Sequence, residues 1–348
     1  MEQIIRFGLV GVRGIAKSHL MGIQQNVGTE AVAICDIHEE IAQRIAETYH
    51  VPSYYTDYDE MLKRDDIDAI IVCTPDAAHK DCVVKALHAG KHVLCEKPMA
   101  LVLDDCKEMI RAAKETGKLL MVGQVCRYAP GFVKAKEAVE AGEIGELFFV
   151  ESEYAHDYTG NVGQDGWRVD TEHLRHPIIG GGCHAVDLLR WIAGNPTETF
   201  AYANHKVLTD WPVDDSTVAL LKFPNDVNGK VFTSIGCKRN YTMRTVLYGT
   251  KGTIIADNTS PTISIFKAEF RGENSYMNAA QRTVEIKVPV SIANHNMTAE
   301  IREMCEAIRG TASLKTDGVS GASTVAVCSA IVESAATGEK VQISYDFD

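Results

Sequence analysis

The sequence predicts an α/β protein with an N-terminal, doubly wound parallel sheet and a second domain in which antiparallel strands predominate. Up to Gly123, short apolar runs alternate with segments of helical periodicity, which is the pattern of βαβ units. Beyond Gly123, β patterns are separated by short turns rich in Gly and Asn, as in antiparallel hairpins. We therefore expect one domain over 1–123 and another over 124–348, whose last helix is able to pack back on the first.

In the first domain, the predicted strands are apolar along their whole length, as expected of strands buried on both faces. They cover 4–10, 31–35, 69–73, 93–95 and 119–122. Apolar residues recur at helical spacing over 15–25, 39–49, 58–64, 77–89 and 105–116. Asp57 is the expected N-cap of the third helix, and Gly90 and Gly117 are expected at the C-caps of the last two.

In the second domain, one helix over 133–141 precedes the β-rich part. Apolar and β-branched residues between turn signals predict strands at 147–154, 199–207, 217–223, 230–235, 245–248, 253–256, 262–266 and 284–288. Two helices, 297–309 and 322–337, close the chain.

The composition disfavours some classes of partner. The 35 Lys and Arg against 47 Asp and Glu give a net charge of −12, which argues against nucleic acid and anionic membranes as partners. The ten cysteines form no Cys-x-x-Cys pair, which is typical of reduced, buried thiols in a cytoplasmic protein. The sequence shows neither a secretory signal pattern nor an uninterrupted apolar run of membrane-spanning length, so we expect a cytoplasmic location.

The first strand runs into a glycine turn typical of nucleotide-binding sites. In a Gly-x-Gly-x-x-Gly/Ala reading, Arg13 replaces the second glycine and Ala16 takes the third position. An acid ends the second strand about 20 residues further on, where it binds the adenosine ribose hydroxyls and disfavours the 2′-phosphate of NADP. The pattern predicts NAD as the cofactor rather than NADP. The expected contacts are Gly11, Val12, Arg13, Gly14, Ile15 and Asp36.

A purely structural interpretation of this region is also open. In it, Gly11 and Gly14 only form a strand–helix turn, and Asp36 caps the next helix. The Arg13 side chain either points away from the phosphates or reaches around to bind them.

A lysine follows another predicted strand, in Glu96-Lys97-Pro98. The proline stops the strand, so Lys97 is expected at the carboxyl edge of the sheet, where open α/β sheets bind their ligands. There it could transfer a proton as a neutral amine or orient a substrate oxygen as a cation. The alternative is a structural ion pair with Glu96.

Together with Thr74-Pro75 after the third strand, these motifs resemble the glucose–fructose oxidoreductase / inositol dehydrogenase (Gfo/Idh/MocA) family. The resemblance runs over nearly the whole chain. It includes the join over 142–146, the Gly-x-His-x-x-Asp stretch from Gly182 to Asp187, and the late hairpin over 248–253. These motifs are specific to the family but do not specify a substrate.

The resemblance implies a Rossmann domain followed by an α/β domain with an open, mostly antiparallel sheet that often forms homodimers or homotetramers. Members typically transfer hydride between a carbinol of a sugar, cyclitol or related small molecule and NAD(P). The family's catalytic lysine falls on Lys97 and its active-site histidine on His184. Further cofactor contacts are expected from Thr74, Pro75, His79, Glu96, Lys97 and Gln124.

One position departs from the family's pattern. Many members carry an aspartate four residues before the active-site histidine, where this chain has Gly180. The nearest acids in sequence that could replace it are Asp157, Asp165 and Asp170. Asp187 is expected to anchor structure rather than to do chemistry.

The long segment between Tyr154 and Gly182 is rich in Gly, Asp, His and aromatic residues. A loop of this kind suits either a polyhydroxylated ligand or an oligomer contact. The expected substrate contacts are Lys97, Arg127, Tyr154, His156, Trp167, Arg168, Asp170 and His184. The spacing of the histidines at 156, 173, 176 and 184 matches no metal site, so no metal is expected.

The sequence thus favours an NAD-dependent dehydrogenase acting on a secondary alcohol of a sugar, sugar derivative or cyclitol. One alternative is an enzyme that cleaves glycosides by transient oxidation with a tightly bound NAD. Another is a non-catalytic, nicotinamide-sensing regulatory protein.

Overall fold

A computed structural model describes residues 3–269, 282–292 and 295–347. The chain divides into two compact units. The first unit is Met1–Val125, Asn296–Ala326 and Tyr345–Asp348, and the second is Cys126–His295 and Val327–Ser344. The predicted fold class is confirmed, because one sheet is parallel and the other is mixed and mostly antiparallel.

The first unit contains a six-stranded parallel sheet in the order β3-β2-β1-β4-β5-β6. Its strands are β1 Ile5–Val10, β2 Thr29–Cys35, β3 Tyr54–Tyr55, β4 Ala69–Val72, β5 His92–Cys95 and β6 Leu120–Val122. The strand order reverses direction between β1 and β4, which creates a crevice at the carboxyl ends of these two strands. This switch point is where doubly wound sheets bind nucleotides.

The helices of the first unit agree closely with those predicted. They are α1 Ala16–Gln25, α2 Glu39–Tyr49, α3 Tyr58–Leu62, α4 His79–His88 and α5 Leu103–Thr116. The Asp57 side chain accepts hydrogen bonds from the backbone N–H groups of Asp59 and Glu60, as its predicted capping role requires. Gly117 ends α5 in the left-handed region with φ of 65°. The helix predicted over 77–89 is split, because a short 3₁₀ turn, Asp76–Ala78, precedes α4.

The second unit is built on a nine-stranded sheet in the order β14-β13-β12-β11-β7-β10-β9-β8-β15. Its strands are β7 Leu147–Ala155, β8 Glu198–Asn204, β9 Ser216–Lys222, β10 Asn228–Ser234, β11 Thr242–Gly249, β12 Gly252–Asp257, β13 Thr262–Glu269, β14 Arg282–Pro289 and β15 Val341–Gln342. The predicted hairpins β9–β10 and β11–β12 are antiparallel. The central pair, β7 and β10, is parallel, which no local turn signal could reveal.

The remaining helices are α6 Pro130–Glu140, α7 Pro177–Gly180, α8 Cys183–Ala193, α9 Met297–Ile308 and α10 Gly318–Thr337. Helix α6 begins three residues before the predicted start because Pro130 occupies its first turn, where a missing N–H costs nothing. Helix α8 packs on β7, β10 and β11.

Helix α10 has 20 residues, and its most apolar window has a mean hydropathy of 1.4. Length and composition alone would allow it to cross a membrane, although Ser, Thr and Gly interrupt its apolar residues. However, 61% of that window is buried inside the protein, as in the core helices of many globular domains.

A buried acid lies on α9. The Glu300 side chain is fully buried, and neither of its carboxylate oxygens has a hydrogen-bond partner among the described residues. Burial raises the pKa of Glu300 well above its usual value, and the charges of Glu96 and Glu303 raise it further. The folded protein therefore holds this proton at pH values where the unfolded chain has lost it.

The pKa of Glu300 is about 4.5 in the unfolded chain and is raised in the folded protein. We therefore predict that folding stability falls as the pH rises from about 4.5 towards the raised pKa of the folded state. Glu300→Gln should remove that part of the pH dependence and raise Tm at neutral pH, because the amide carries no charge. Thermal unfolding across this pH range tests the prediction. Glu303→Gln is the control and should lower Tm, because Glu303 accepts hydrogen bonds from Lys315. A lower Tm for Glu300→Gln at pH 7 would contradict the prediction.

Candidate active site

The predicted nucleotide-binding residues of the first unit lie at the ends of five neighbouring strands. Gly11 follows β1, Asp36 follows β2, and Thr74 lies just beyond β4. Glu96 follows β5, and Gln124 lies just beyond β6. Because the strands are parallel, these residues share the carboxyl edge of one sheet.

The glycine turn requires glycine at its first position. Gly11 has φ of 78°, and a Cβ there would lie 2.6 Å from the backbone nitrogen of Thr74. The chain after β1 therefore passes directly over the chain after β4. Gly14 also has a positive φ, 54°, but a Cβ there would meet no atom within 4 Å among the described residues.

Asp36 is bound to this turn and is 5% exposed. One carboxylate oxygen accepts the N–H of Val12 at 3.2 Å, and the other accepts the N–H of His38 at 3.1 Å. The Arg13 guanidinium also points to Asp36, with Nη2 at 3.5 Å from Oδ1. Asp36 thus does not cap α2, whose N-cap is His38, but binds the backbone just before that helix and is also fixed beside the glycine turn.

Glu96 holds the Lys97 corner through the backbone. One carboxylate oxygen lies 2.7 Å from His19 Nε2, and the other accepts the backbone N–H of Lys97 at 3.1 Å. Burial opposes ionisation, but the hydrogen bond and charge of His19, together with the Lys97 charge, lower the pKa of Glu96 to about 2. Glu96 is therefore an anion at neutral pH. Among the described residues, it is hydrogen-bonded to the His19 imidazole and to the Lys97 backbone. The half-buried Lys97 side chain is carried on this fixed corner.

Two further predicted cofactor residues lie close to the same edge. The two ring nitrogens of His79 lie 2.9 Å from the Pro98 carbonyl and 3.0 Å from the Thr74 carbonyl. The His79 ring therefore ties the segment after β4 to the segment after β5. The Gln124 side chain is 1% exposed, and its carbonyl oxygen has no hydrogen-bond partner among the described residues.

In the second unit, a run of three glycines lets α7 and α8 approach other side chains closely. A Cβ at Gly180 would collide with the Arg175 guanidinium, and one at Gly181 would lie 2.5 Å from the Tyr154 ring. Arg175 donates a hydrogen bond to the Gly180 carbonyl at 3.0 Å. The space that a side chain at position 180 would take is thus filled by the buried guanidinium of Arg175.

Aromatic and imidazole rings gather around Tyr154 at the end of β7. Its ring centroid lies 6.4 Å from that of His184, in the first turn of α8, and 6.3 Å from that of His156. Tyr241 meets the Tyr154 ring edge-on at 5.4 Å. His295 lies 5.7 Å from His184. We call Tyr154, His156, Tyr158, His184, Tyr241 and His295 the ring cluster.

Two phenols of the ring cluster, those of Tyr154 and Tyr241, are hydrogen-bond donors at neutral pH. Tyr154 and Tyr158 share a hydrogen bond of 2.8 Å between their hydroxyls. Burial raises the pKa of Tyr154 and of Tyr241 above their usual values. The cluster therefore combines apolar ring faces with neutral polar groups.

Tyr241 and His295 of the ring cluster were not predicted from the sequence. Each lies in an irregular segment just before a strand or helix, β11 and α9. No local motif marks either residue. Arg175 was missed for the same reason.

Other predicted substrate residues surround Trp167. The guanidinium carbons of Arg168 and Arg175 lie 4.9 Å and 5.0 Å from the Trp167 ring centre. Arg168 also lies 5.3 Å from the ring centre of Tyr158, which joins it to the ring cluster. Asp170 instead forms an ion pair with His173 at 2.9 Å.

The acids expected to replace the aspartate missing at 180 have other surroundings. The carboxylate of Asp157 binds Thr159 and Lys238, and that of Asp170 binds His173. Asp165 is exposed. A catalytic role for any of the three stays a prediction.

Arg127 and Asp187 form a buried, bidentate ion pair. Arg127 Nε donates to Asp187 Oδ2 at 2.7 Å, and Nη2 donates to Oδ1 at 2.6 Å. Arg190 approaches the same carboxylate at 3.5 Å. Asp187 therefore has the anchoring contacts that were expected of it, whereas a substrate contact from Arg127 stays a prediction.

Asp187→Asn is expected to lower the free energy of unfolding by about 3–5 kcal/mol, because it leaves buried guanidinium groups without their counter-charge. Urea titration followed by circular dichroism measures the loss. The matched control is Asp157→Asn, since Asp157 forms a half-exposed pair with Lys238 of a kind that contributes little to stability. Equal losses for the two variants would contradict the prediction.

Comparison with known proteins agrees with the geometry of both units. Residues 5–124 match the model of the oxidoreductase family with an NAD-binding Rossmann fold, GFO_IDH_MocA, and residues 132–255 match the GFO/IDH/MocA C-terminal domain. The chain belongs to the GFO/IDH/MocA family. The predicted family, enzyme class and NAD cofactor are thereby confirmed.

Relatives within the GFO/IDH/MocA family include sugar-converting enzymes. The chain is 30% identical to the uncharacterized oxidoreductase YrbE of Bacillus subtilis, over 78% of this chain and 79% of that protein. It is 28% identical to 1,5-anhydro-D-fructose reductase of Ensifer adhaerens, over 97% and 98% of the two chains. A levoglucosan dehydrogenase, solved with NADH and L-sorbose, shares the fold with a TM-score of 0.89 at 22% identity, over 99% of this chain and 100% of that chain.

Proposed function

We propose that this oxidoreductase transfers hydride between NAD and a secondary alcohol carbon of a sugar, sugar derivative or cyclitol. The observation that carries the proposal is the Lys97 corner, which Glu96 fixes at the same sheet edge as the glycine turn and Asp36. The names of the relatives support the substrate class, since one reduces an anhydro-sugar and others are inositol 2-dehydrogenases.

The residues of the first unit fit NAD. When bound, NAD accepts or donates the hydride. Gly11 lets the turn after β1 pass close to the Thr74 backbone at the edge of the sheet, and Asp36 presents a fixed carboxylate of the kind that binds ribose hydroxyls. Gln124 offers a buried carbonyl oxygen without a partner among the described residues, which a cofactor amide would satisfy.

Lys97 and His184 are the two residues proposed to handle protons. Lys97, on its fixed corner, binds the hydroxyl oxygen of the substrate and handles its proton. His184, which is 2% exposed and faces Tyr154, is the second proton-handling group. The ring cluster and Arg168 provide the ring faces and donors that a polyhydroxylated ligand requires.

The sheet of the second unit is proposed to form a homodimer or homotetramer. Large apolar side chains are exposed on several of its strands, including Phe148, Tyr202, Leu220 and Ile286. Tyr202 and Leu220 lie on the adjacent strands β8 and β9, and exposed apolar surface on a sheet is typical of protein interfaces. The mass in solution, measured by light scattering, tests the proposal, and a monomer would contradict it.

A substrate panel tests the proposed reaction. The protein is incubated with NAD or NADP and with sugars, glycosides and inositols, while reduced nicotinamide and cleaved products are monitored. Reduced nicotinamide together with a keto product supports the proposal. Binding of NAD without turnover on any member of the panel would contradict it and favour a regulatory protein.

One observation favours a second candidate, the cleavage of glycosides by transient oxidation. Arg175 fills the place of the usual aspartate, and a guanidinium stabilises the oxyanion that forms when a proton is lost beside a ketone. Cleaved glycoside without net reduced nicotinamide, in the same panel, would support this candidate over the first.

Asp36 is expected to set the preference for NAD over NADP. We predict that Asp36→Ser weakens NAD binding and shifts the ratio of kcat/KM values towards NADP by about 10-fold or more. The reason is that the carboxylate leaves while Arg13, which already lies beside it, stays to bind a 2′-phosphate. Asp66→Ser, at an exposed ion pair with Arg64, is the control. An unchanged ratio would show that Asp36 has only a structural role.

A further inference from the structure

Three side chains of the second unit meet with the geometry of metal ligands. Among the residues that the structure describes, Cys126, His184 and His295 place one ligand atom each within 4.8 Å of one another. We propose that they bind a thiophilic divalent cation of the zinc class. In the metal-loaded protein His184 is then a ligand, and it acts as the second proton-handling group only in the metal-free protein. The sequence predicted no metal because only the spacing of the histidines at 156, 173, 176 and 184 was considered. Cys126 and His295 are far from His184 in sequence, and only the fold brings them to it.

The donor set selects the class of metal. One thiol and two imidazoles are ligands that zinc prefers, and three protein ligands leave a fourth position for water or a substrate oxygen. The Met243 sulfur lies 3.5 Å from the Cys126 sulfur, which adds a second soft atom beside the thiol. The three ligands include no carboxylate, whereas Mg²⁺ and Ca²⁺ require oxygen ligands.

Two of the three ligands are fixed in place. Cys126 and His184 are 1% and 2% exposed. The residue after Cys126, Arg127, is bound by two hydrogen bonds to Asp187, which lies one turn after His184 on α8. This ion pair therefore holds the two ligands near each other without the cation, which lowers the ordering cost of binding.

The third ligand, His295, lies where a cation can reach the site from solvent. His295 is exposed, and its ring lies 5.7 Å from that of His184. When the cation binds, the Cys126 thiol becomes a thiolate and its proton is released to solvent. Metal affinity should therefore rise with pH.

Titration of the metal-free, full-length protein with Co²⁺ tests this site. Cobalt reports tetrahedral coordination by intense visible bands and thiolate ligation by a charge-transfer band in the near ultraviolet. We expect both at one equivalent of cobalt, and we expect Zn²⁺ to abolish them. The absorption is read without NAD or substrate, so its outcome is independent of the proposed dehydrogenase function.

Variants assign the ligands. Cys126→Ser should remove the charge-transfer band, and His295→Asn should weaken cobalt binding by more than about 100-fold, since even outer-sphere partners contribute 10–100-fold. His295 is exposed, so its variant should fold even if Cys126→Ser does not. Cys237→Ser and His173→Asn are the controls and should bind as the unchanged protein does. Weak, octahedral cobalt absorption, or undiminished binding by His295→Asn, would overturn the proposal.

Discussion

Lys97→Ala is expected to lower kcat by about 10²–10⁴-fold, the usual contribution of a positioned acid–base group. The physical reason is that Glu96 fixes the Lys97 backbone and leaves the side chain at the ligand edge of the sheet. The variant should still bind NADH, because Gly11 and Asp36 are unchanged. Steady-state kinetics together with NADH fluorescence separates the two effects.

Two further variants sharpen this prediction. Lys97→Arg keeps the positive charge but cannot give up a proton, so substantial recovery of kcat would indicate that the residue only orients the substrate. Lys85→Ala is the control, because Lys85 is an exposed lysine paired with Asp59. If Lys97→Ala retained full activity, Lys97 would have no part in the reaction.

Gly11→Ala is expected to abolish NAD binding and to destabilise the first unit by about 2–5 kcal/mol. The new Cβ would lie 2.6 Å from the Thr74 nitrogen, and overpacking of this kind costs about 1–3 kcal/mol. The positive φ adds about 1–2 kcal/mol for a residue with a side chain. Calorimetric titration with NAD and thermal unfolding measure the two losses.

Gly14→Ala is the matched control. Gly14 has a similar φ, but a Cβ there meets nothing within 4 Å among the described residues. Its cost should therefore be limited to about 1–2 kcal/mol of backbone strain. Equal effects of the two substitutions would show that the approach to Thr74 is unimportant.

The parallel half of the fold could be predicted from the sequence because its signals are local. Apolar runs, helical periodicity and the caps at Asp57 and Gly117 each depend on a few neighbouring residues. The parallel pairing of β7 with β10 could not be predicted, because it joins strands that are distant along the chain. The helix starts at Pro130 and Gly318 were missed by a few residues, although Pro130 in the first turn of α6 and Asp317, which accepts the N–H of Ser320, are both helix-start signals.

The site was predictable only where a motif marks it. The glycine turn, Asp36 and the Lys97 corner are sequence motifs, and the structure brings them to one sheet edge. Arg175, Tyr241 and His295 have no motif, because the tertiary fold alone brings them to Gly180 and the ring cluster.

The central claim is that hydride passes between the substrate carbon and the nicotinamide. The most direct test uses the best substrate of the panel, deuterated at its carbinol carbons, in a reaction with NAD. Mass spectrometry then measures deuterium in the reduced nicotinamide formed. We predict that the reduced nicotinamide carries one deuterium and that a keto product accompanies it. Turnover of the substrate without deuterium in the nicotinamide would contradict the proposed reaction.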